Sequence, residues 1–239
     1  MEQKLPKIAI AQINSCVGAV KENSKKIENC ILKAQKQNVE ILIFPRNIIL
    51  GINSKDLIKD KSLFIKCEEV KKNLKKKYKN IKLLFENEQI EGLTVNNEGW
   101  KYCFGKFENL FENTIIQKGI HIFVNPVGAF DEKIFEGRSF AVYDGRIIGL
   151  GKFLKEDLII LDYNANLPLK TYSFEEETFK VLSFGIKDYC QKTGFKKAVL
   201  GLSGGLDSAI TAVLACDALG EDNVLGITMP SKFSTKEIL

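Results

Sequence analysis

The stretch SGGLDS, residues 203–208, constrains this chain most, because it joins an apolar run, AVLGL, to a helix-like run, LDSAITAVLACDALG. The apolar run, residues 198–202, predicts a buried strand, and the glycine pair marks a tight strand-to-helix turn. The helix is expected to pack inward through Ala209, Ala212, Val213 and Cys216.

The composition of this turn predicts a pyrophosphate site. Backbone amides at a helix N-terminus attract anions, and Gly204 and Gly205 leave those amides uncovered. Ser203 and Ser208 add hydroxyl donors, and Asp207 can hold Mg²⁺ against the same phosphates. No lysine follows the glycines, so the pattern is not a Walker A loop. A plain capped turn is the alternative, and the full six-residue string disfavours it.

Composition and charge exclude several other classes of protein. The chain has 45% hydrophobic and 27% charged residues, as in an ordinary globular protein. The net charge is +5, but the densest basic stretch, residues 71–82, is typical of a solvated helix face and not of a nucleic-acid site. The six cysteines and one histidine show neither zinc nor disulfide spacing. With no signal peptide or membrane span visible, we expect a cytoplasmic protein without nucleic-acid or membrane partners.

Strand and helix patterns alternate along the rest of the chain. Residues 7–13, 21–37 and 39–45 predict a strand, a helix and a strand, with Ile27, Ile31 and Ala34 on the inner face of the helix. Further apolar runs follow at 81–85 and 120–128. Asp144-Gly145 predicts the turn of a hairpin within residues 139–151.

We therefore predict that the chain has an α/β fold with two domains. Residues 1–163 form an α/β sandwich of mixed sheets, and residues 164–172 form a polar linker that contains a proline. Residues 173–239 begin a second α/β domain. Its first helix is expected to start after a capping box of Ser173 and Glu176 and to stop at Gly194.

The motifs resemble a known family at several places. SGGLDS is similar to the pyrophosphate-binding loop of the N-type ATP pyrophosphatases, and VLGITMPSKFST, residues 224–235, resembles NAD synthetase within that superfamily. KIAIAQINSCVGAVKENSKKI near the start and residues 124–163 resemble the nitrilase-type amidohydrolase domain that precedes the synthetase in glutamine-dependent NAD synthetases. The resemblance covers nearly the whole chain. It implies a nitrilase-like α/β sandwich followed by the start of an adenine-nucleotide α-hydrolase-like (PP-loop) parallel α/β domain.

The resemblance also implies an activity. A ligase of this family uses ATP and Mg²⁺ to adenylate nicotinic acid adenine dinucleotide, and ammonia or glutamine nitrogen then displaces AMP to give NAD. A homo-oligomer is implied as well. Asp207 is implied to hold the metal. The implied ATP-binding residues are Gly201, Leu202, Ser203, Gly204, Gly205, Leu206, Asp207 and Ser208.

The amidohydrolase part departs from the family pattern. Arg46 follows the Phe-Pro pair where the family has its catalytic glutamate, and an arginine cannot act as a general base near neutral pH. Phe85 stands at the best match to the nucleophilic cysteine, and the segment with the lysine is missing near residues 78–82. We expect no glutaminase activity. Lys106 matches a lysine that contacts substrate, and Cys103 nearby is expected to be an ordinary semi-buried thiol.

The chain stops at Leu239, about thirty residues after the loop, so we expect either a fragment of a longer product or a sheet completed by a partner chain. The alternative to an NAD synthetase is a non-catalytic scaffold or truncated relic that assembles with a partner chain. A plain nitrilase-family amidase is disfavoured because the catalytic trio is absent.

Overall fold

The computed structural model describes residues 5–86 and 90–229, apart from the side chain of Lys55. The chain divides into two compact units, Met1–Thr171 and Tyr172–Leu239. Part of the stretch that resembles NAD synthetase, residues 230–235, lies outside the described residues.

The first unit contains three α-helices and ten strands among its described residues. The helices are α1 (Val20–Lys36), α2 (Lys61–Lys77) and α3 (Lys106–Ile115). The strands are β1 (Ile8–Gln12), β2 (Ile41–Ile43), β3 (Lys82–Leu84), β4 (Leu93–Asn96), β5 (Ile120–Phe123), β6 (Val127–Phe130), β7 (Lys133–Glu136), β8 (Phe140–Tyr143), β9 (Arg146–Leu150) and β10 (Asp157–Ile160). A 3₁₀ turn, Lys55–Lys59, precedes α2.

Eight of these described strands form two mixed sheets. The first sheet has the order β10-β1-β2-β3, in which β1, β2 and β3 are parallel and β10 is antiparallel to β1. The second has the order β4-β5-β8-β9, in which β4 and β5 are parallel and the other pairs antiparallel. Strands β6 and β7 pair separately. The mixed α/β sandwich predicted from sequence is confirmed.

Successive side chains of a strand point to opposite faces of its sheet, so each sheet contributes side chains to two different cores. Ile8 and Ile10 of β1 face Ile122 of β5, so the two sheets pack against each other through one apolar core. Ala9 and Ala11 point to the opposite side, where α1 and α2 cover the first sheet. Helix α3 covers the outer face of the second sheet. The first unit is therefore a four-layer arrangement of helices, sheet, sheet and helix.

Two local predictions for the first unit are confirmed. The inner face of α1 is buried at Ile27, Ile31 and Ala34, as its spacing indicates. Asp144 (φ 45°) and Gly145 (φ 80°) form the two-residue turn that joins β8 to β9. Both residues have positive φ, as a type I′ hairpin turn requires.

The segment predicted as a linker, residues 164–172, lies almost entirely in the first unit. The Leu167 amide donates to the Ile147 carbonyl oxygen at 2.9 Å, and Leu169 packs on the outer core of the second sheet. The division between the units falls between Thr171 and Tyr172.

The second unit comprises α4 (Phe174–Thr193), β11 (Ala198–Leu202), α5 (Leu206–Leu219), a 3₁₀ turn (Glu221–Asn223) and β12 (Val224–Thr228) among its described residues. Strands β11 and β12 are parallel neighbours, and α5 connects them. Helix α4 begins at the predicted cap, because the Ser173 hydroxyl accepts the Glu176 amide at 3.2 Å. It ends at Gly194, which has φ 81°.

Two predictions for this unit are wrong. Strand β11 is not buried: Val199 and Gly201 are exposed and the alternate residues only half-buried. Helix α5 buries Leu214, Ala215 and Ala218, while Ala209 and Val213 of the predicted inner face are exposed. The helix is apolar on most faces, so the sequence does not indicate which one packs inward.

Within the described residues, no helix has the length and apolar character needed to cross a membrane.

Candidate functional site

The loop between β11 and α5 has the conformation expected of an anion-binding turn. Gly204 has φ 79°, a left-handed conformation that side chains disfavour. Gly205 follows in an extended conformation as the N-cap of α5, with φ −85° and ψ 158°. The residues from Ser203 to Asp207 are exposed. The first amides of a 14-residue helix thus open toward solvent beside two residues that have no side chains.

Two serine hydroxyls hold this turn in shape. The Ser208 hydroxyl donates to the Gly205 carbonyl oxygen at 2.9 Å and accepts the Ser203 amide at 3.3 Å. The two hydroxyl oxygens of Ser203 and Ser208 lie 3.2 Å apart. The Gly205 amide donates to the Ser203 hydroxyl at 3.3 Å. Since most of these distances are long for hydrogen bonds, the hydroxyls can turn to a stronger acceptor such as a phosphate oxygen.

Asp207 lies in the first turn of α5, where a negative charge is favoured by the helix dipole. Its carboxyl is exposed, and its carbonyl oxygen accepts the Thr211 hydroxyl at 2.7 Å. Among the described residues, no three histidine, cysteine, aspartate or glutamate side chains converge on a metal position. A cation at Asp207 would therefore need further oxygen ligands from a bound molecule.

Arg46 and Phe85 lie just beyond the ends of the neighbouring parallel strands β2 and β3. The Arg46 guanidinium pairs with Glu98, with Nη1 2.7 Å from Oε1, and both side chains are about half exposed (50% and 57%). Phe85 is only 2% exposed and stacks on Phe44, with ring centroids 4.8 Å apart and planes 7° apart. A cation and a buried ring thus occupy the positions matched to the base and the nucleophile.

Cys103 and Lys106 lie at the start of α3. Cys103 is exposed, so the expectation of a semi-buried thiol is wrong, because the turn before α3 faces solvent. Its carbonyl oxygen accepts the Lys106 amide at 2.9 Å, and Lys106 itself is exposed. His121 is buried, and its Nε2 lies 2.8 Å from the Lys118 carbonyl oxygen.

Comparison with known proteins identifies relatives of both units. The family described as NAD synthase matches residues 178–238, which include the loop. The glutamine-dependent NAD(+) synthetase of Synechocystis sp. is 29% identical over an alignment that covers 95% of this chain and 60% of the relative. This chain is a homologue of the glutamine-dependent NAD synthetases. It spans about 60% of the length of that relative.

The aligned region is longer in the relative than in this homologue. The alignment extends over 338 residues, and 95% of the present 239 residues is about 227, so about 110 aligned positions have no residue here. Segments of the relative are therefore missing within the matched region.

Solved structures show the same folds. The glutamine-dependent NAD⁺ synthetase of Acinetobacter baumannii, solved in complex with ADP, superposes with a TM-score of 0.83 at 20% identity and covers 97% of this homologue and 61% of that chain. An amidase from Nesterenkonia sp. superposes with a TM-score of 0.54 at 11% identity, over 66% of this homologue and 89% of the amidase. The predicted nitrilase-like fold, followed by the start of a PP-loop domain, is confirmed.

Sequence reasoning missed two groups that contact the predicted site residues. Glu98, the partner of Arg46, is 52 residues further along the chain. Thr211, one helical turn after Asp207, could have been found from its i, i+4 spacing. No local pattern marks Glu98, because its role depends on the packing of β2 beside the loop that follows β4.

Proposed function

We propose that this chain carries the ATP-binding loop of an NAD synthetase that receives ammonia and does not hydrolyse glutamine itself. In the proposed reaction, the carboxylate of nicotinic acid adenine dinucleotide attacks the α-phosphorus of ATP, pyrophosphate leaves, and ammonia displaces AMP. The observation that carries the proposal is the exposed loop at the N-terminus of α5, with two glycines, two hydroxyls and one carboxylate.

The loop has the groups needed to bind a leaving pyrophosphate. The amides of Leu206 and Asp207 lie in the first turn of α5, at the positive end of its dipole, and would donate to phosphate oxygens. The hydroxyls of Ser203 and Ser208, now 3.2 Å apart, would turn from each other to the same oxygens. Donors already in place where negative charge develops lower the barrier without further reorganisation. Gly201 and Leu202 end β11 and Leu206 begins α5, so these residues would set the direction of the loop.

Asp207 is the proposed metal ligand. Mg²⁺ commonly binds one or two carboxylates together with substrate phosphates, so a single exposed aspartate beside the loop fits such a site. The ion would neutralise charge on the pyrophosphate as it leaves. This chain's own contribution is to place the Asp207 carboxylate in the first turn of α5, two residues after Gly205.

The proposed nitrogen source follows from the amidohydrolase unit. Hydrolysis of an amide by this family needs a base, a nucleophile and a donor for the oxyanion. A guanidinium at position 46 offers no acceptor for a proton, and Phe85 has no nucleophilic atom. The ammonia would therefore come from solution or from another protein. Lys106 is the proposed substrate contact in this unit, and we further propose a homo-oligomer.

The test is a nitrogen-source assay on the full-length protein with ATP, Mg²⁺ and nicotinic acid adenine dinucleotide. We expect NAD to form with ammonium chloride, and neither NAD nor glutamate to form with glutamine alone. The Asp207→Ala variant should lose at least tenfold of the ammonia-dependent rate, while Asp222→Ala, which removes an exposed carboxyl outside the loop, should keep it.

Other outcomes would reject one part of the proposal or the other. Glutamate release from glutamine, lost in Cys103→Ala, would contradict the proposed nitrogen source. Absence of NAD with either source would contradict the synthetase function and support a non-catalytic scaffold.

A further inference from the structure

A cavity of about 290 Å³ lies at the edge of the first sheet where the parallel strands β2 and β3 end. Ligands of α/β proteins commonly bind outside the carboxyl ends of parallel strands, and this volume suits a small molecule. Its walls come from the loops after β2 and β3, the 3₁₀ turn and one face of α2. The lining residues used below are Arg46, Leu50, Phe64, Cys67, Glu68 and Lys71, together with Phe85 and Glu86.

Arg46 is held in position at this cavity by its backbone. Its amide donates to the Asn97 carbonyl oxygen at 2.8 Å, and the buried Asn97 side chain donates to the Phe44 carbonyl oxygen at 3.1 Å. Within the described part of the chain, Glu98 is the one carboxylate paired with the Arg46 guanidinium. A guanidinium has five N–H donors in a planar fork, so donors remain for a second carboxylate.

The other charged side chains on the cavity wall form ion pairs with one another. The Lys71 ammonium lies 2.6 Å from the Glu68 carboxylate and 2.7 Å from the Glu86 carboxylate, and the lysine side chain is only 16% exposed. One cation between two anions has a net charge of −1. This group therefore repels any negative charge placed beside it, so a ligand's single carboxylate is expected at Arg46 and a second carboxylate is disfavoured.

The remaining wall is apolar. Phe85 is packed on Phe44 and cannot move away without opening the core, so its edge is a fixed surface. Leu50 is buried, whereas Phe64 is 56% exposed at the rim. An apolar group bound against this wall would cover the exposed ring of Phe64 and remove its apolar surface from water.

We propose that this cavity binds a small monocarboxylate with an apolar body, the carboxylate on Arg46 and the body against Phe64, Leu50 and Phe85. The binding site occupies the place where the base and nucleophile of an amidohydrolase are absent. It does not depend on the proposed synthetase activity, because none of its residues belongs to the second unit.

The test is titration of the full-length protein with benzoate by isothermal calorimetry. A ligand of this size is expected to bind with a Kd on the order of 1 mM. Benzamide lacks the charge, acetate lacks the apolar body, and phthalate has a second negative charge. Each should bind at least tenfold more weakly than benzoate. Equal binding of benzoate and benzamide would overturn the proposal.

Two variants and one control test whether benzoate binds to Arg46. Arg46→Gln should weaken benzoate binding at least tenfold. Glu98→Gln removes the competing carboxylate and should tighten binding about threefold. Lys26→Gln is the matched control, because Lys26 is also a half-exposed cation paired with a half-exposed glutamate, Glu156, and should leave the Kd unchanged. An improved Kd in Glu98→Gln cannot come from misfolding, so its absence would overturn the proposal even if Arg46→Gln failed to fold.

The cysteines report where the ligand binds. Cys67 lines the cavity and Cys103 is exposed outside its lining. Saturating benzoate should slow the alkylation of Cys67 by iodoacetamide and leave that of Cys103 unchanged, as read by mass spectrometry. Unchanged alkylation of Cys67 would place the benzoate elsewhere and overturn the proposal.

Discussion

At the scale of single residues, Gly204 sets the shape of the loop. Its φ of 79° costs about 1 kcal/mol or more for an alanine, so Gly204→Ala should displace the following amides and weaken ATP binding at least tenfold. Gly194→Ala is the control, since Gly194 has a φ of 81° and an added Cβ there meets nothing within 4 Å. It should lower the melting temperature similarly without affecting ATP affinity. Unchanged ATP binding in Gly204→Ala would contradict this role.

Glu28 links stability to pH. The Lys77 ammonium and the Tyr78 hydroxyl both hydrogen-bond to its carboxylate, and these bonds lower the pKa of Glu28. A carboxylate with a lower pKa in the folded state stabilises the fold at neutral pH, and this stabilisation is lost as the pH falls through that pKa. The Lys77 side chain is 62% exposed and the Glu28 side chain 33% exposed, so solvent screens this pair and its contribution is about 0.5 kcal/mol.

Urea titrations of Glu28→Gln should therefore show a lower free energy of unfolding than the parent at pH 7 and a smaller difference at about pH 3. Glu69→Gln, on an exposed part of α2, serves as the control. A deficit of equal size at both pH values would mean that Glu28 acts through packing and not through its charge.

At the scale of elements, the start of α4 depends on its cap. Ser173→Ala removes the acceptor for the Glu176 amide and should cost about 1 kcal/mol of the stability of the second unit. Ser173→Asp keeps an acceptor at the same position and should restore most of it. Hydrogen exchange of the first turn of α4 measures the effect, and equal protection in all three proteins would contradict it.

Elements with a clear period were predictable, and those without one were not. Helix α1 has polar residues on one side, so the positions of Ile27 and Ile31 indicate its buried face. Helix α5 is apolar nearly throughout, and its packing is decided by α4, where the Ser183 hydroxyl donates to Asp217. The exposure of β11 was missed because an apolar run predicts a strand but not what covers that strand.

At the scale of the whole molecule, the two parts of the site differ in how far the sequence defines them. The loop of residues 203–208 is contiguous, so its strand, turn and helix could be predicted from local chemistry. The Arg46–Glu98 pair and the cavity beside it bring together segments separated by up to 52 residues. Only the packing of the first sheet against α2 and the loop after β4 places them next to each other.

The loop's binding of ATP is the central claim, and calorimetric titration of the full-length protein with ATP, with and without Mg²⁺, tests it most directly. We predict binding that requires Mg²⁺, is lost in Asp207→Ala and is kept in Asp222→Ala. Binding of equal affinity in the parent and Asp207→Ala proteins, or no binding in the parent protein, would contradict the assignment of this loop.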